Sequence, residues 1–416
     1  MTMTGRGLGR ITGMLFTLLA STGIHPAHAA GAPDGQYLTR AADCEVCHTR
    51  PGGTPFAGGR AFAIPGMGVI YSPNITADRQ AGIGAWTDDQ FVKAVRDGVS
   101  PGWKHLYPAM PYRDYAYMTP DEVKAIRAYL ATLPTSAARP PENTLKFPFS
   151  IRSAMIFWNL VNGPASSHPD DPAHTPSWNR GRYLVEGPGH CAECHSPRTI
   201  TMGVSTANAY AGADVGGWRA YNITSSKTDG IGAWSADDLA TYLSTGHADG
   251  HGSASGDMGD VVSHSLRYLT RQDIDAMVEY LRDIPARSSA DGAPPVIAQP
   301  TATHDPADSH GAMLYAGACA GCHLPDGSGR QNPVASIAGA RTTLGGTNGQ
   351  NLLQVLTHGS ALQTATGTAT MPAFHGGYSD QDVADIANFV MHHFGQSSTK
   401  VTAVDVAKAK ATSAPE

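Results

Sequence analysis

Charge is scarce in this chain. Asp, Glu, Lys and Arg make up 15% of its 416 residues, against roughly 25% in ordinary soluble domains. No Lys/Arg-rich stretch is present to neutralise phosphates, and the formal net charge is −6, so nucleic acid is excluded as a partner. Beyond residue 29 no run is long and apolar enough to span a bilayer, which excludes a polytopic membrane protein. No nucleophile elbow, zincin helix or dinucleotide loop appears either. Gly5-x-Gly7-x-Gly9 follows no strand and cannot cradle phosphates. What is plentiful is glycine and proline, 47 and 29 residues, well above their usual combined share of about 12%. Loops must therefore carry much of the fold. The length is about three times that of a common domain, so two to four domains are expected.

Residues 1–29 read as a secretory signal. Arg6 and Arg10 give a positive n-region, Ile11 to Ala20 a short apolar run, and Ala27-His28-Ala29 a small-x-small cleavage site. The run falls well short of the ~20 apolar residues that a spanning helix needs. Cleavage is therefore expected rather than a retained anchor, and the mature chain is exported.

The six cysteines form three pairs, each followed at once by histidine: Cys44-Glu45-Val46-Cys47-His48, Cys191-Ala192-Glu193-Cys194-His195 and Cys319-Ala320-Gly321-Cys322-His323. This is the attachment signature of c-type haem. Two thiols three positions apart reach the two vinyl groups of one porphyrin, and the next residue brings an imidazole over the iron. Zinc would need four ligands from nearby pairs, whereas these pairs lie far apart in the chain. A thioredoxin-like redox pair has no need of histidine in every copy, and the same holds for disulfides. Covalent haem c on Cys44, Cys47, Cys191, Cys194, Cys319 and Cys322, with His48, His195 and His323 as axial ligands, is the expectation.

A haem iron that only carries electrons needs a second axial ligand, and methionine raises its potential. Internal repetition locates candidates. Asn74-Ile75-Thr76 and Ile83-Gly84-Ala85-Trp86 recur as Asn222-Ile223-Thr224 and Ile231-Gly232-Ala233-Trp234, and the same displacement carries Met110 onto Met258. Met118 and Met277 fall instead on Leu269 and Ile126, positions that accept plain core residues. In the third unit Thr370-Met371-Pro372 matches Ala109-Met110-Pro111, while Met391 sits late in a helical pattern. Met110, Met258 and Met371 are therefore expected as sixth ligands. His247 and His251, in a Gly-rich stretch expected to be a flexible loop, are rivals to Met258.

Each unit repeats one order of signals. A first helix, led by Gly35, Gly181 or Gly311, runs into the cysteines. A loop and a short capped helix follow: Thr87 with Gln90, ending at Gly98; Ser235 with Asp238, ending at Gly246; Thr347 with Gln350, ending at Gly359. After a methionine loop comes a last helix opened by Thr119-Pro120, Thr270 or Ser379, whose apolar residues, such as Val123, Ile126 and Leu130, share one face. First and last helices so arranged cross and leave a slot for a porphyrin. The predicted fold is all-α: three tandem cytochrome c domains joined by Pro-rich linkers. The expected divisions are signal 1–29, domain 30–134, linker 135–176, domain 177–285, linker 286–308, domain 309–395 and a flexible tail 396–416. Units this small bury little surface alone, so haem is expected to supply part of each core.

Within the first linker Ile151 to Val161 contains Met155, Ile156, Phe157 and Trp158. It suits either packing between domains or a helix lying in a membrane interface. Asn74 and Asn222 match glycosylation sequons, but their duplication beside the haem motifs suggests a structural role. Either their amides and the Trp86 and Trp234 indoles donate to haem propionates, or they simply pack.

Tyr71-Ser72-Pro73-Asn74-Ile75-Thr76, Leu106-Tyr107-Pro108-Ala109-Met110-Pro111-Tyr112, Gly187-Pro188-Gly189-His190-Cys191 and Gly256-Asp257-Met258-Gly259-Asp260 resemble the triheme cytochrome c subunit of bacterial membrane-bound, quinone-reducing dehydrogenases. Alcohol dehydrogenase and gluconate 2-dehydrogenase share it. The likeness runs from about Gly35 to Ala407. It implies a non-catalytic electron-transfer subunit of an oxidoreductase complex in the periplasm, peripheral on the outer face of the cytoplasmic membrane. Its partner would be a catalytic subunit holding pyrroloquinoline quinone, flavin or molybdopterin, with a small third subunit in some complexes. The substrate would be an alcohol, polyol, sugar acid or aldehyde, and electrons would pass through three haems to ubiquinone. Some members of the family extend further with an amphipathic tail, whereas this sequence stops at Glu416, which leaves Ile151 to Val161 as the candidate for membrane attachment. The competing classes are a haem enzyme such as a peroxidase, which needs an open iron position, and a freestanding soluble electron shuttle.

Overall fold

Three helix pairs, each crossing at a glycine, organise the chain. In the computed structural model the described residues are 33–163, 169–289, 309–330, 332–344 and 348–412. The expected signal, most of the second linker and Thr347 lie outside them.

The first unit contains α1 (Gly35–Ala41), α2 (Cys44–His48), α3 (Asp88–Asp97), α4 (Tyr112–Tyr115) and α5 (Pro120–Leu130). A linking helix α6 (Met155–Asn162) precedes the second unit, which has α7 (Pro176–Glu186), α8 (Ala192–His195), α9 (Ala236–Thr245), α10 (Gly256–His264) and α11 (Arg271–Asp283). The third unit has α12 (Ser309–Ala318), α13 (Ala320–His323), α14 (Gln350–His358), α15 (Asp380–Gly395) and α16 (Ala403–Ala411).

Local chemistry sets most helix ends. Thr87, Thr119 and Ser379 each accept a hydrogen bond from the backbone three residues on, and Gln90, Glu122 and Asp382 return one, giving capping boxes. Ser235 and Thr270 cap α9 and α11 in the same sense. Gly98 and Gly246 end α3 and α9 with φ of 66° and 77°, where a side chain would be strained. α14 departs from the expected pattern: it opens at Gly349 with a positive φ and no side-chain cap.

The last helix of each unit crosses the first at close range because the first carries glycine there. A Cβ on Gly35 would lie 2.0 Å from the carbonyl oxygen of Ala125, one on Gly181 1.9 Å from that of Ala276, and one on Gly311 2.2 Å from that of Asp385. Tyr129, Tyr280 and Phe389 flank the crossings. Around them lie three cores. Leu38, Phe91, Met118, Val123 and Ile126 fill the first, Leu184, Val262, Ile274 and Met277 the second, and Leu353, Ile386, Met391 and Phe394 the third.

The cores are not sealed from one another. Ala41 of α1 and Leu362 of the third unit belong to the second core, and Tyr183 of α7 packs against the first. Polar ties follow the same seams. Tyr37 donates to Asp273 at 2.6 Å, Arg60 pairs with Asp257 and Asp260 at 2.8 and 3.0 Å, and Asn351 of α14 exchanges two backbone hydrogen bonds with Arg219 at 2.7 and 2.9 Å.

As the all-α expectation has it, the fold is mostly helical, with 43% helix and 10% strand among the described residues, and it carries short ribbons besides. Five antiparallel two-stranded ribbons, Ala61–Ile64 with Gly68–Tyr71 being the first, occur among the described residues. They form because glycine turns bring short extended segments back on themselves. One expectation is corrected for residues 396–412, which are not a loose tail: Thr402 and Asp405 form a capping box for α16, and Val401, Val406 and Ala409 are buried in the third core.

Gly181→Ala is expected to destabilise the folded chain by about 3 kcal/mol through overpacking at the crossing. Gly317→Ala, in α12 with no heavy atom within 4 Å of the added carbon, should gain up to about 1 kcal/mol. Urea denaturation followed by circular dichroism compares the two, and equal effects would contradict the crossing as the limiting contact.

Candidate functional site

Each Cys-x-x-Cys-His segment is one helical turn placed directly after a first helix: α2, α8 preceded by Cys191, and α13 preceded by Cys319. Residues three apart share a helix face, so both thiols of a pair point the same way. All six cysteines are free of disulfides. Among the described residues no cluster of three or more His, Cys, Asp or Glu could hold a metal ion. Burial pushes the Cys44, Cys191 and Cys194 thiols up to about 12 and that of Cys319 to about 11, and it raises Cys47 as well.

The three histidines share one arrangement. The Nδ1 of His48 lies 2.8 Å from the carbonyl of Pro73, that of His195 2.6 Å from the carbonyl of Tyr221, and that of His323 2.6 Å from the carbonyl of Ala335. A carbonyl only accepts, so each Nδ1 carries the proton and donates it, and each Nε2 keeps its lone pair for a metal. Burial also lowers the pKa of His48 and His195, favouring the neutral imidazole that a metal requires. The donor set thus fits c-type haem.

The repeated Asn-Ile-Thr explains how the accepting carbonyls are held. Asn74 follows Pro73 and Asn222 follows Tyr221. Asn74 Oδ1 accepts from the backbone N–H and hydroxyl of Thr76 at 2.9 and 2.7 Å, while its amide donates to the carbonyls of Ser136 and Ala138 at 2.7 and 3.0 Å. Asn222 does the same with Thr224, at 2.8 and 2.6 Å, and with the Arg287 carbonyl at 2.7 Å. Both asparagines are buried. Burial leaves neither open to a glycan; they brace the histidine's acceptor against the chain leaving the unit. In the third unit a 3₁₀ turn, Pro333–Ala335, presents the carbonyl instead.

Each candidate methionine occupies a different setting. Met110 lies in the turn before α4, half-buried against the first core, and also lines a small cleft with Arg113, Trp158, Glu193 and Arg198. Met258 stands on α10 rather than in the expected loop, packed against the second core. Met371 ends the ribbon Ser360–Thr364 with Gly367–Met371 and packs against the third core. Met118, Met277 and Met391 are fully buried. The rivals of Met258 are engaged elsewhere. His247 is buried in the ribbon His247–Ala248 with Gly252–Ser253, its Nδ1 2.9 Å from Ser253 Oγ and its Nε2 3.3 Å from Asp249. His251 stacks on Trp234 at 3.6 Å. This stretch is an ordered hairpin, not a flexible loop.

Sequence reasoning missed the polar groups that line the seam between the first two attachment turns. Asp43, in a left-handed conformation just before Cys44, is buried with one carboxylate oxygen unpartnered. Burial raises its pKa, as burial and then the neighbouring Glu193 carboxylate raise that of Asp114. Tyr115 donates to the Ala42 carbonyl at 2.6 Å and meets His190 edge-on at 5.7 Å. None of these shows a spacing pattern; the neighbours of Asp114 and Tyr115 across the seam, Glu193 and His190, come from the second unit. A wide cavity of about 2020 Å³ reaches Met371, Phe157, Ile200 and Tyr107, above the roughly 300–1,000 Å³ of ordinary small-molecule pockets.

Comparison with known proteins agrees with this chemistry. Residues 30–130 and 306–390 match the family described as cytochrome c oxidase, cbb3-type, subunit III. The chain is 38% identical to the fructose dehydrogenase cytochrome subunit of Gluconobacter japonicus, over 92% of this chain and 84% of that protein. It is 38% identical to the gluconate 2-dehydrogenase cytochrome c subunit of Pantoea cypripedii, over 90% and 88%. It is 34% identical to the alcohol dehydrogenase (quinone) cytochrome c subunit of Gluconobacter oxydans, over 94% and 85%.

Asn222→Ala strands the Thr224 donors and the Arg287 acceptor, at a cost of about 3 kcal/mol. Denaturant midpoints of the haem-loaded protein measure the loss, and an unchanged midpoint would show that the brace is not formed.

Proposed function

The chain belongs to the family of dehydrogenase cytochrome c subunits, and from that premise we propose that it is a periplasmic triheme relay carrying electrons from a dehydrogenase catalytic subunit to membrane ubiquinone. Family membership itself establishes an electron-transfer cytochrome with covalently bound haem c. The observation that supports three working centres is the thrice-repeated donation of histidine Nδ1–H to a backbone carbonyl.

Bound haem c supplies one-electron transfer between Fe(III) and Fe(II). Cys44 and Cys47, Cys191 and Cys194, and Cys319 and Cys322 would hold the three groups by thioether bonds. His48, His195 and His323 would supply Nε2 to the iron, and the carbonyls that accept from their Nδ1–H hold the rings and would raise the basicity of the ligand. Met110, Met258 and Met371 would be the second protein ligands of the three irons, and thioether sulfur in that role raises the potential. Proline, asparagine and threonine around the accepting carbonyls limit reorganisation of the ligand set.

The catalytic partner would oxidise an alcohol, polyol, sugar acid or aldehyde with pyrroloquinoline quinone, flavin or molybdopterin, with room in the complex for a small third subunit. Among the described residues no helix is long and apolar enough to cross a membrane, in keeping with a peripheral position on the outer face of the cytoplasmic membrane.

Intact-mass spectrometry of the secreted protein should give three covalent haem additions, falling by one for each Cys→Ser pair; two or fewer on the parent chain would refute the triheme reading. Met110→Ala, Met258→Ala and Met371→Ala should each convert one centre to a high-spin optical spectrum. Met118→Ala should lower stability without that spectral change. A high-spin centre in the parent chain would favour an open iron, as in a peroxidase.

A further inference from the structure

We propose that α6 and the turn at residues 199–202 beside it form a docking patch that rests on the surface of an anionic phospholipid bilayer. The proposal deepens the membrane-peripheral reading above and rests on it, by naming the surface that meets lipid.

Helix α6, Met155–Asn162, has no buried residue. Phe157 is 71% exposed and Leu160 81%. Ile200, at the tip of the adjoining turn, is 102% exposed. Nine of the thirteen exposed large hydrophobic residues of the described surface fall within residues 147–161 and 200–202. Scattered apolar residues need no explanation, but a contiguous patch does.

The patch is held in place from behind. Ile156, Phe157, Leu160 and Val161 share one side of the helix by their spacing, and Trp158, Asn159 and Asn162 share the other. Trp158 Nε1 donates to the Thr201 carbonyl at 2.7 Å and Thr201 donates to Asn162 Oδ1 at 2.9 Å, which locks the turn to the helix. Tyr112 donates to Asn159 Oδ1 at 2.6 Å and meets Trp158 edge-on at 6.5 Å. The helix therefore turns its polar side inward and its apolar side out, Phe157 and Val161 lying along the wide cavity and Ile156 and Leu160 beyond it.

Two features point to lipid as the occupant. The outward side chains of α6 carry no hydrogen-bonding group, whereas a specific protein interface carries about one hydrogen bond per 100–200 Å²; lipid tails require none. The charge is also one-sided. Residues 143–163 contain Lys146 and Arg152 and no acid, in a chain whose net charge is −6. Arg152 is anchored by its donation to the His105 carbonyl at 3.0 Å. Cations at the rim of an apolar face match anionic headgroups. At eight residues α6 is far shorter than the ~20 needed to cross a bilayer, so it would lie in the interface.

The test is co-sedimentation of the full haem-loaded chain with vesicles of phosphatidylglycerol and phosphatidylethanolamine, and with vesicles of phosphatidylcholine alone. The parent protein should bind the anionic vesicles at least tenfold better than the Phe157→Glu/Leu160→Glu variant, whose altered residues are solvent-exposed. Lys146→Gln/Arg152→Gln should reduce binding to anionic vesicles toward the phosphatidylcholine level. Parent protein remaining in the supernatant, or equal binding by the double glutamate variant, would overturn the proposal. So would a variant that binds vesicles normally but no longer co-purifies with a dehydrogenase subunit, which would make the patch a protein interface. Haem content and the reduced optical spectrum, read on the same samples, report on the relay separately: intact haem with no vesicle binding removes this proposal alone.

Discussion

A backbone carbonyl pressed against a glycine sets the distance between the first and last helices of every unit. Gly35, Gly181 and Gly311 leave room for the Ala125, Ala276 and Asp385 carbonyls, and any side chain there would push the helices apart. That distance fixes where the Cys-x-x-Cys-His turn emerges, because the turn begins within one or two turns of the crossing helix. The attachment chemistry thus depends on a contact made by atoms that take no part in it.

The second constraint works outward from the imidazole. A histidine in a short helical turn is free to rotate unless its second nitrogen is held, and here a carbonyl holds it in all three units. In the first two units the asparagine that follows the carbonyl ties it to the segment departing from the last helix. Ligand orientation and chain exit are therefore fixed by one buried amide. The third unit uses a proline-led turn for the same end, which accounts for its lack of the Asn-Ile-Thr motif.

Short-range chemistry was readable from the sequence. Thr87 with Gln90, Thr119 with Glu122 and Ser379 with Asp382 act within four residues, and they cap the helices expected of them. Met118 and Met277 read as core from the repeat alignment and are buried. What depended on distant partners was not readable. Asn74 and Asn222 were visible as a repeat, but their task is defined by carbonyls some sixty residues away. Thr402 and Asp405 form an ordinary capping box, yet the Ala-rich helix they open becomes fixed only because α14 and α15 offer it a surface. The repeat puts Met258 in a methionine loop, yet it stands on α10, where packing against the second core outweighs the low helix propensity of Gly256 and Gly259.

The seams between units have a mechanical consequence. Ala41, Tyr183 and Leu362 each lend a side chain to a neighbouring core, and Arg60 spans from the first unit to two aspartates of the second. The polypeptide is a girder rather than a swinging arm. Separations between its three Cys-x-x-Cys-His turns are settled once, when the chain folds. Thickening the solvent, which slows carriers that must pivot on a tether, should have no purchase on traffic along its length.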